Sequence, residues 1–240
     1  MPDLVFVTGA SRGLGLAIAQ TVPFPARVID ISRSGPPAGS GIEHLRADLT
    51  EPRSWRDIGR LIKEITEETD PQRLVLVHAA GTLSPIGFAG EVDFDTYANN
   101  VLLNSAAGQV LGQAFLAAAG PRAGERILVM ITSGAASSIY PGWTAYGAGK
   151  AALDQWVRTA GEEQRRRGAV VVAAIAPGVI DTSMQEEIRS TPIEDFPDVN
   201  RFRRLHEEGD LVPPEEAARR FWDAVERGLT PGSVIDLRKR

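Results

Sequence analysis

The stretch that decides the fold is "VTGASRGLG", Val7 to Gly15. The apolar run "LVFV" leads into it and the helix-forming run "LAIAQ" leads out. Gly9, Gly13 and Gly15 follow the pattern G-x-x-x-G-x-G, a different spacing from the G-x-G-x-x-G of the common dinucleotide fingerprint. Glycine accepts positive φ and lets backbone amides approach a ligand closely. A helix that opens directly after such a turn presents unpaired N–H groups and partial positive charge, which suits a pyrophosphate. A glycine-rich turn between strand and helix is also a purely structural device. The rest of the chain has to separate the two readings.

Periodicity supplies the context. "LVFVTG" (4–9), "RVIDIS" (27–32), "LVLVHAA" (74–80), "ILVMITS" (127–133) and "VVVAAIA" (170–176) are continuously apolar and rich in Val and Ile. Strands buried on both faces of a parallel sheet read in this way. "IEHLRADL" (42–49) alternates, as a strand near an edge would, and "SVIDLR" (233–238) supplies a final strand. Helical segments are expected at 13–22, 54–68, 94–119, 144–167 and 215–227. Pro23 and Pro25 stop the first of them, because proline lacks the amide donor. Arg165, Arg166 and Arg167 stand before Gly168, where cations complement the negative end of a long helix. "SGPPAGSG" (34–41) is a loop by composition. Alternating strands and helices predict a single-domain α/β Rossmann fold over residues 1–240, doubly wound and mainly parallel.

Composition limits what such a domain does. A chain of 240 residues with 43% hydrophobic content buries a substantial core. The net charge of −5 argues against nucleic acid or an anionic membrane as partner. There is no cysteine, and His44, His78 and His206 are scattered without ligand spacing, so no metal site is expected. "MPDLVFVTGA" carries no signal-peptide pattern. No apolar stretch is expected to approach the roughly 20 residues of a spanning helix. The expectation is a soluble cytoplasmic protein.

Four motifs in order, "TGASRGLG" (8–15), "HAAG" (78–81), "YGAGK" (146–150) and "PGVIDT" (177–182), resemble those of the short-chain dehydrogenase/reductase family. The C-terminal half is most similar to the branch that holds sepiapterin and benzil reductases. One departure is His78-Ala79-Ala80-Gly81, where the family has Asn-Asn-Ala-Gly and uses the central Asn to brace the sheet.

The resemblance implies a nicotinamide cofactor, and the residues favour NADP(H). The 2′-phosphate needs cationic partners. Arg12 lies in the glycine turn, Arg33 follows the second strand, and Ser32 stands where NAD-specific relatives place an acid. Asp30 is the nearest carboxylate, two positions earlier on the same face and about 6–7 Å back along the strand. Arg12 and Arg33 also fit ordinary solvated charge. By resemblance, Gly9, Ser11, Gly13, Leu14 and Gly15 line the cofactor phosphates, and Asp48 and Leu49 meet the adenine. Ala80, Gly81, Pro177, Gly178, Val179 and Thr182 border the remainder.

Tyr146 and Lys150 are four residues apart, so on a helix they share one face, about 40° from superposition. A phenol with a reference pKa of about 10 exchanges protons poorly at neutral pH. A nearby ammonium is expected to lower that value, and about three units correspond to about 4 kcal/mol. Ser133 closes its strand at the carboxyl edge of the sheet, where α/β folds bind ligands. It is thirteen residues before Tyr146, the family's separation. A fourth member, by resemblance, is an asparagine whose backbone holds a water. Asn104 fits best, with Tyr97 seven residues before it and Gln113-Ala114 nine after, while Asn99 and Asn100 are expected on the exposed side.

Residues 183–211 are expected to form an irregular substrate lid. Trp143 and Met184 are candidate apolar walls beside Ser133 and Tyr146, or else plain packing. Asp236 matches the acid that anchors the pterin in sepiapterin reductases, or is a strand-end residue. The resulting expectation is an NADPH-dependent carbonyl reductase of a vicinal diketone or a pterin side-chain ketone. The alternatives are a 3-oxoacyl thioester reductase and a non-catalytic NADP-sensing scaffold. Family resemblance also implies a homodimer or homotetramer through the helices at 94–119 and 144–167.

Overall fold

The computed structural model describes residues 3–120, 124–168 and 170–239, so the ends of the single-domain assignment and residues 121–123 and 169 lie outside it. Seven strands form one sheet: β1 (Asp3–Thr8), β2 (Ala26–Ser32), β3 (Glu43–Arg46), β4 (Arg73–His78), β5 (Glu125–Ile131), β6 (Val171–Ala176) and β7 (Val234–Asp236). Their order is β3-β2-β1-β4-β5-β6-β7. Every pairing is parallel, so the sheet is wholly rather than mainly parallel. From β1 the chain winds outward through β2 and β3, then crosses back to β4 and winds the other way. The reversal between β1 and β4 opens a crevice at their carboxyl ends, where ligands of such sheets bind.

The strands are continuously apolar because each serves two cores. Leu4, Phe6, Leu74, Leu76, Leu128 and Met130 face helices α2 (Pro52–Thr69), α4 (Gly108–Ala119) and α5 (Thr144–Arg167). Their neighbours Val5, Val7, Val75, Val77 and Val129 face α1 (Gly13–Gln20) and α8 (Pro214–Glu226). Period-2 alternation therefore survives as two apolar faces rather than as apolar and polar ones. Strand β3 lies at the sheet edge, and Glu43, His44 and Arg46 are exposed. Trp222 of α8 is buried against α1 and donates its indole N–H to the Ile18 carbonyl at 3.0 Å. A truncation there costs about 3–5 kcal/mol.

Helix boundaries follow local chemistry. Helix α5 ends at Gly168, whose φ of 67° is left-handed, after Arg165, Arg166 and Arg167. Arg165 and Arg166 both pair with Glu162. Helix α1 stops at Gln20, two residues earlier than its prolines require, with the Thr21 hydroxyl donating to the Ala17 carbonyl. Residues 94–119 form one helical run made of α3 (Phe94–Val101), a π-helical stretch Leu102–Ala107, and α4. By length and composition this run could cross a membrane, contrary to the expectation. Its Leu111, Phe115, Ala118 and Ala119 are buried in the core beside α2, the placement of a core helix. The segment after β6 is also more ordered than expected. It folds into α6 (Ser183–Ser190) and α7 (Val199–Glu207), whose apolar residues Ile188, Val199 and Phe202 are buried.

Candidate active site

One cavity of about 470 Å³ runs along the carboxyl edge of the sheet. The glycine turn forms one end. Gly9 has φ 74°, and a side chain there would meet Ala80 Cα at 2.9 Å. At Gly15 a Cβ would sit 2.3 Å from the Gly9 carbonyl oxygen, so the turn closes only without it. Arg12 caps α1 without a side-chain hydrogen bond. Gly13, Leu14 and Gly15 at the start of α1 line the cavity, and no acid stands in that first turn. The cradle fits a pyrophosphate.

The end of β2 is arranged around a buried carboxylate. Asp30, fully buried, accepts the Ala10 amide at 2.8 Å and the Ser32 hydroxyl at 2.6 Å. His44 Nδ1 lies 2.9 Å from Oδ2, the oxygen that Ser32 also uses, while Ala10 is held by Oδ1. Asp30 thus braces the glycine turn to β2 and does not line the cavity. Ser32 spends its proton on Asp30 and accepts the Gly35 amide. Arg33 is exposed and stands 4.0 Å from Asp48, and Arg12 is exposed too. Asp48 accepts from the Thr50 amide and hydroxyl. Burial pushes its carboxyl up, but the Thr50 donors and Arg33 prevail and hold it below its ordinary value.

Ser133, Tyr146 and Lys150 meet at the middle of the cavity. Ser133 follows β5, and its Oγ accepts the Ala135 amide at 3.2 Å. Tyr146 stands in the first turn of α5, close enough to Ser133 for that hydroxyl to act on its phenol. Lys150 is buried one turn further and donates to the Ile131 carbonyl at 2.9 Å. Burial lowers its ammonium to about 8, with Asp154 pulling the other way. The expected depression of the tyrosine is not found. Burial raises the Tyr146 phenol, and only the Ser133 hydroxyl works against it. The physical reason is placement: the Lys150 ammonium lies 5.8 Å from the ring centroid and is aimed at a backbone carbonyl.

Asn104 stands beside this group but not on the cavity wall. Its amide donates to the Thr82 carbonyl at 2.7 Å and accepts the Thr82 N–H at 3.1 Å. It also donates to Asn100 Oδ1 at 2.7 Å. Asn100 is fully buried, not exposed as expected, and donates to the Ser84 carbonyl at 2.8 Å. Asn99 is exposed. Asn100 stands one turn before Asn104 on the same helix face, so helical spacing turns both toward the 82–84 loop. The missing central Asn of the His78–Gly81 motif is covered by Thr8. Its hydroxyl oxygen accepts the Ala79 and Ala80 amides, both at 3.1 Å, and pairs with His78 Nδ1 at 3.0 Å. His78 is wholly buried, and that burial, followed by the Lys150 charge, lowers it to about 3.

The far end is aromatic. Trp143 stacks on Phe196 with centroids 4.5 Å apart, and Tyr140 and Phe202 complete the cluster. Met184, Tyr140, Trp143 and Phe202 line the cavity. Pro177, Gly178, Val179 and Thr182 line the side between the two ends, and a Cβ on Gly13 would reach Thr182 at 3.3 Å. Ser11, Leu14, Leu49, Ala80 and Gly81 also line it. Asp236 does not. Its carboxylate receives the Arg238 guanidinium at 2.9 and 2.6 Å, and it is Arg238 that reaches the wall. Tyr140, Phe202 and Arg201 were missed from sequence. Arg201 and Phe202 lie inside the expected lid, but only the docking of α7 shows which side chains turn inward.

Residues 3–193 match the short chain dehydrogenase family. The chain belongs to that family. As a member it is an oxidoreductase acting on CH–OH or C=O groups with a nicotinamide cofactor. It is 34% identical over 246 residues to a benzil reductase ((S)-benzoin forming) of Bacillus subtilis (strain 168), covering 99% of each chain. It is 29% identical to the sepiapterin reductase of Meriones unguiculatus, covering 96% of this chain and 94% of that one. A solved short-chain dehydrogenase/reductase from Saccharomyces cerevisiae superposes with a TM-score of 0.83 at 25% identity, covering 98% and 96%.

Proposed function

We propose that the protein is an NADPH-dependent carbonyl reductase that acts on an aromatic vicinal diketone. The observation that carries this reading is the single cavity joining an acid-free glycine cradle to the Ser133–Tyr146–Lys150 group and an aromatic box. Bound NADPH would supply the hydride. The amides of Gly13, Leu14 and Gly15 would hold its pyrophosphate, Arg12 and Arg33 its 2′-phosphate, and Tyr146 and Lys150 its ribose. Tyr146 gives its proton to the carbonyl oxygen, and its raised pKa keeps that proton in place until the reaction needs it. Ser133 holds the same oxygen by a hydrogen bond, and Lys150 restores the proton from the inner side. Asn104 contributes by fixing the 82–84 loop beside Lys150. The helical pair over 183–211 acts as the lid.

The diketone is favoured over a pterin ketone because Asp236 is taken up by Arg238. A 3-oxoacyl thioester remains the second substrate to test. Pairing into a dimer is supported by Phe94, Val101 and Val110, exposed along the 94–119 run. Light scattering that finds only 25.8 kDa at micromolar concentration overturns the dimer. The main test is NADPH oxidation with benzil, sepiapterin and an acetoacetyl thioester. Benzil should be reduced fastest. No carbonyl-dependent oxidation with any of the three overturns the reading in favour of a scaffold.

A further inference from the structure

Two guanidinium groups flank one phenol at the substrate end of the cavity. Arg201, on α7, donates to the Tyr140 hydroxyl at 3.0 Å, and Arg238 lies within electrostatic reach of Tyr140. Both arginines line the cavity. Arg238 lies next to the reacting group, since a Cβ on Gly134, the residue after Ser133, would meet its guanidinium at 3.2 Å. Their charges differ in kind. Arg238 is compensated by Asp236 in a two-pronged pair. Arg201 is exposed to solvent and has no carboxylate within ion-pair distance among the described residues; its neighbours are the Tyr140 hydroxyl and the rings of Tyr140 and Phe202, centroids 6.0 and 5.9 Å away. The one acid on the same wall, Glu187, already accepts the Ser84 hydroxyl.

An arginine facing an aromatic cavity without a counter-ion is a receptor for a planar anion, and a carboxylate matches its fork of donors. Resting on the carbonyl-reductase reading, we propose that the preferred substrate is an aromatic carbonyl compound that carries a carboxylate. The ring lies in the box formed by Tyr140, Trp143 and Phe202, the carbonyl meets Ser133 and Tyr146, and the carboxylate is taken by Arg201. The Arg238–Asp236 pair is a neutral part of the wall and leaves the anion to Arg201.

The test uses benzil and its 4-carboxy derivative, compared by kcat/KM in the intact protein. The carboxylated compound should be preferred by about tenfold, the gain of one charge-assisted contact. In Arg201→Gln that preference should disappear, and Arg201→Lys should keep part of it. Arg204→Gln, on the same helix but away from the cavity, should leave the ratio as it was. A ratio at or below one in the unmodified protein overturns the anion site while leaving the reductase reading intact. So does an equal fall in the ratio for Arg204→Gln, which would mark a general charge effect. If neither compound is reduced, the reductase reading fails and takes this inference with it.

Discussion

Between Gly9 and Gly15 the wall of the cleft is backbone, while between Tyr140 and Phe202 it is side chains brought from separate parts of the chain. The first end is closed by seven consecutive residues whose glycines leave no room for alternatives. The second depends on α6 and α7 docking over the end of β6, held by rings such as the stacked Trp143–Phe196 pair. A backbone wall recognises what all cofactors of a class share. A side-chain wall can be exchanged residue by residue, so substrate choice is expected to reside there.

The comparison breaks most visibly at the seam, where the two ends share Tyr146. Tyr146→Phe should cut turnover by about 10²–10⁴-fold, the range for losing a placed proton donor. Cofactor affinity should stay close to normal because the ring and Lys150 remain. Stopped-flow turnover and cofactor titration together check this, and an unchanged rate means that Tyr146 is not the acid. The pH profile adds a sign. Lys150 is charged below about 8, so kcat/KM for reduction should be level at lower pH and decline as pH rises past that value.

What was legible in the sequence follows the same division. The glycine turn, the seven strands and the Ser133–Tyr146–Lys150 spacing were readable, because each depends on local backbone rules or on a fixed helical step. Asn100 was misplaced although its four-residue spacing from Asn104 puts the two on one helix face, where they are hydrogen-bonded to each other and buried. The Tyr146 pKa was misjudged because helical spacing gives the distance to Lys150 but not the direction of its ammonium. Arg201 and Tyr140 were invisible because nothing local records that α7 and a loop after β5 will meet.

His78, below the seam, should produce the next largest effect. Its imidazole is held near 3 against an ordinary value of 6.5, so the folded protein binds fewer protons than the unfolded chain between those values. The stability that this imposes is complete above 6.5 and is lost as pH falls toward 3. By pH 4 the loss is about 3 kcal/mol. His78→Asn removes the titration, so the difference in urea unfolding free energy between pH 7 and pH 4 should shrink by about that amount. An unchanged difference would mean that His78 is not buried in its neutral form.

A smaller effect should separate the two ends cleanly. Gly15→Ala forces a methyl against the Gly9 carbonyl, and relieving such an overlap costs about 1–3 kcal/mol. The displaced turn should weaken cofactor binding while leaving the relative kcat/KM for different carbonyl compounds unaltered. Isothermal titration with NADPH and a substrate panel would show this. A change in the order of substrates would mean that the backbone end also selects substrate.

The smallest effect concerns the one part of the backbone end that is built of side chains. Arg33 reaches out from β2 with most of its side chain exposed, tied only to Asp48 at 4.0 Å. Ser32 beside it has given its proton to Asp30 and has none to offer a phosphate. The positive charge at this corner therefore rests on Arg33 and Arg12. One charge-assisted contact to a 2′-phosphate is worth about 1.4 kcal/mol, a tenfold preference for NADPH over NADH. Arg33→Asp removes that contact and offers a carboxylate to the free ribose hydroxyls instead, so the preference should reverse. Because Asp30 stays buried and fully bonded, the glycine turn should hold its shape and total cofactor-dependent activity should survive with NADH. Ratios of kcat/KM for the two cofactors measure it directly. Equal use of both by the unmodified protein overturns the NADP assignment, and a variant that loses activity with both would show that Arg33 supports the turn itself.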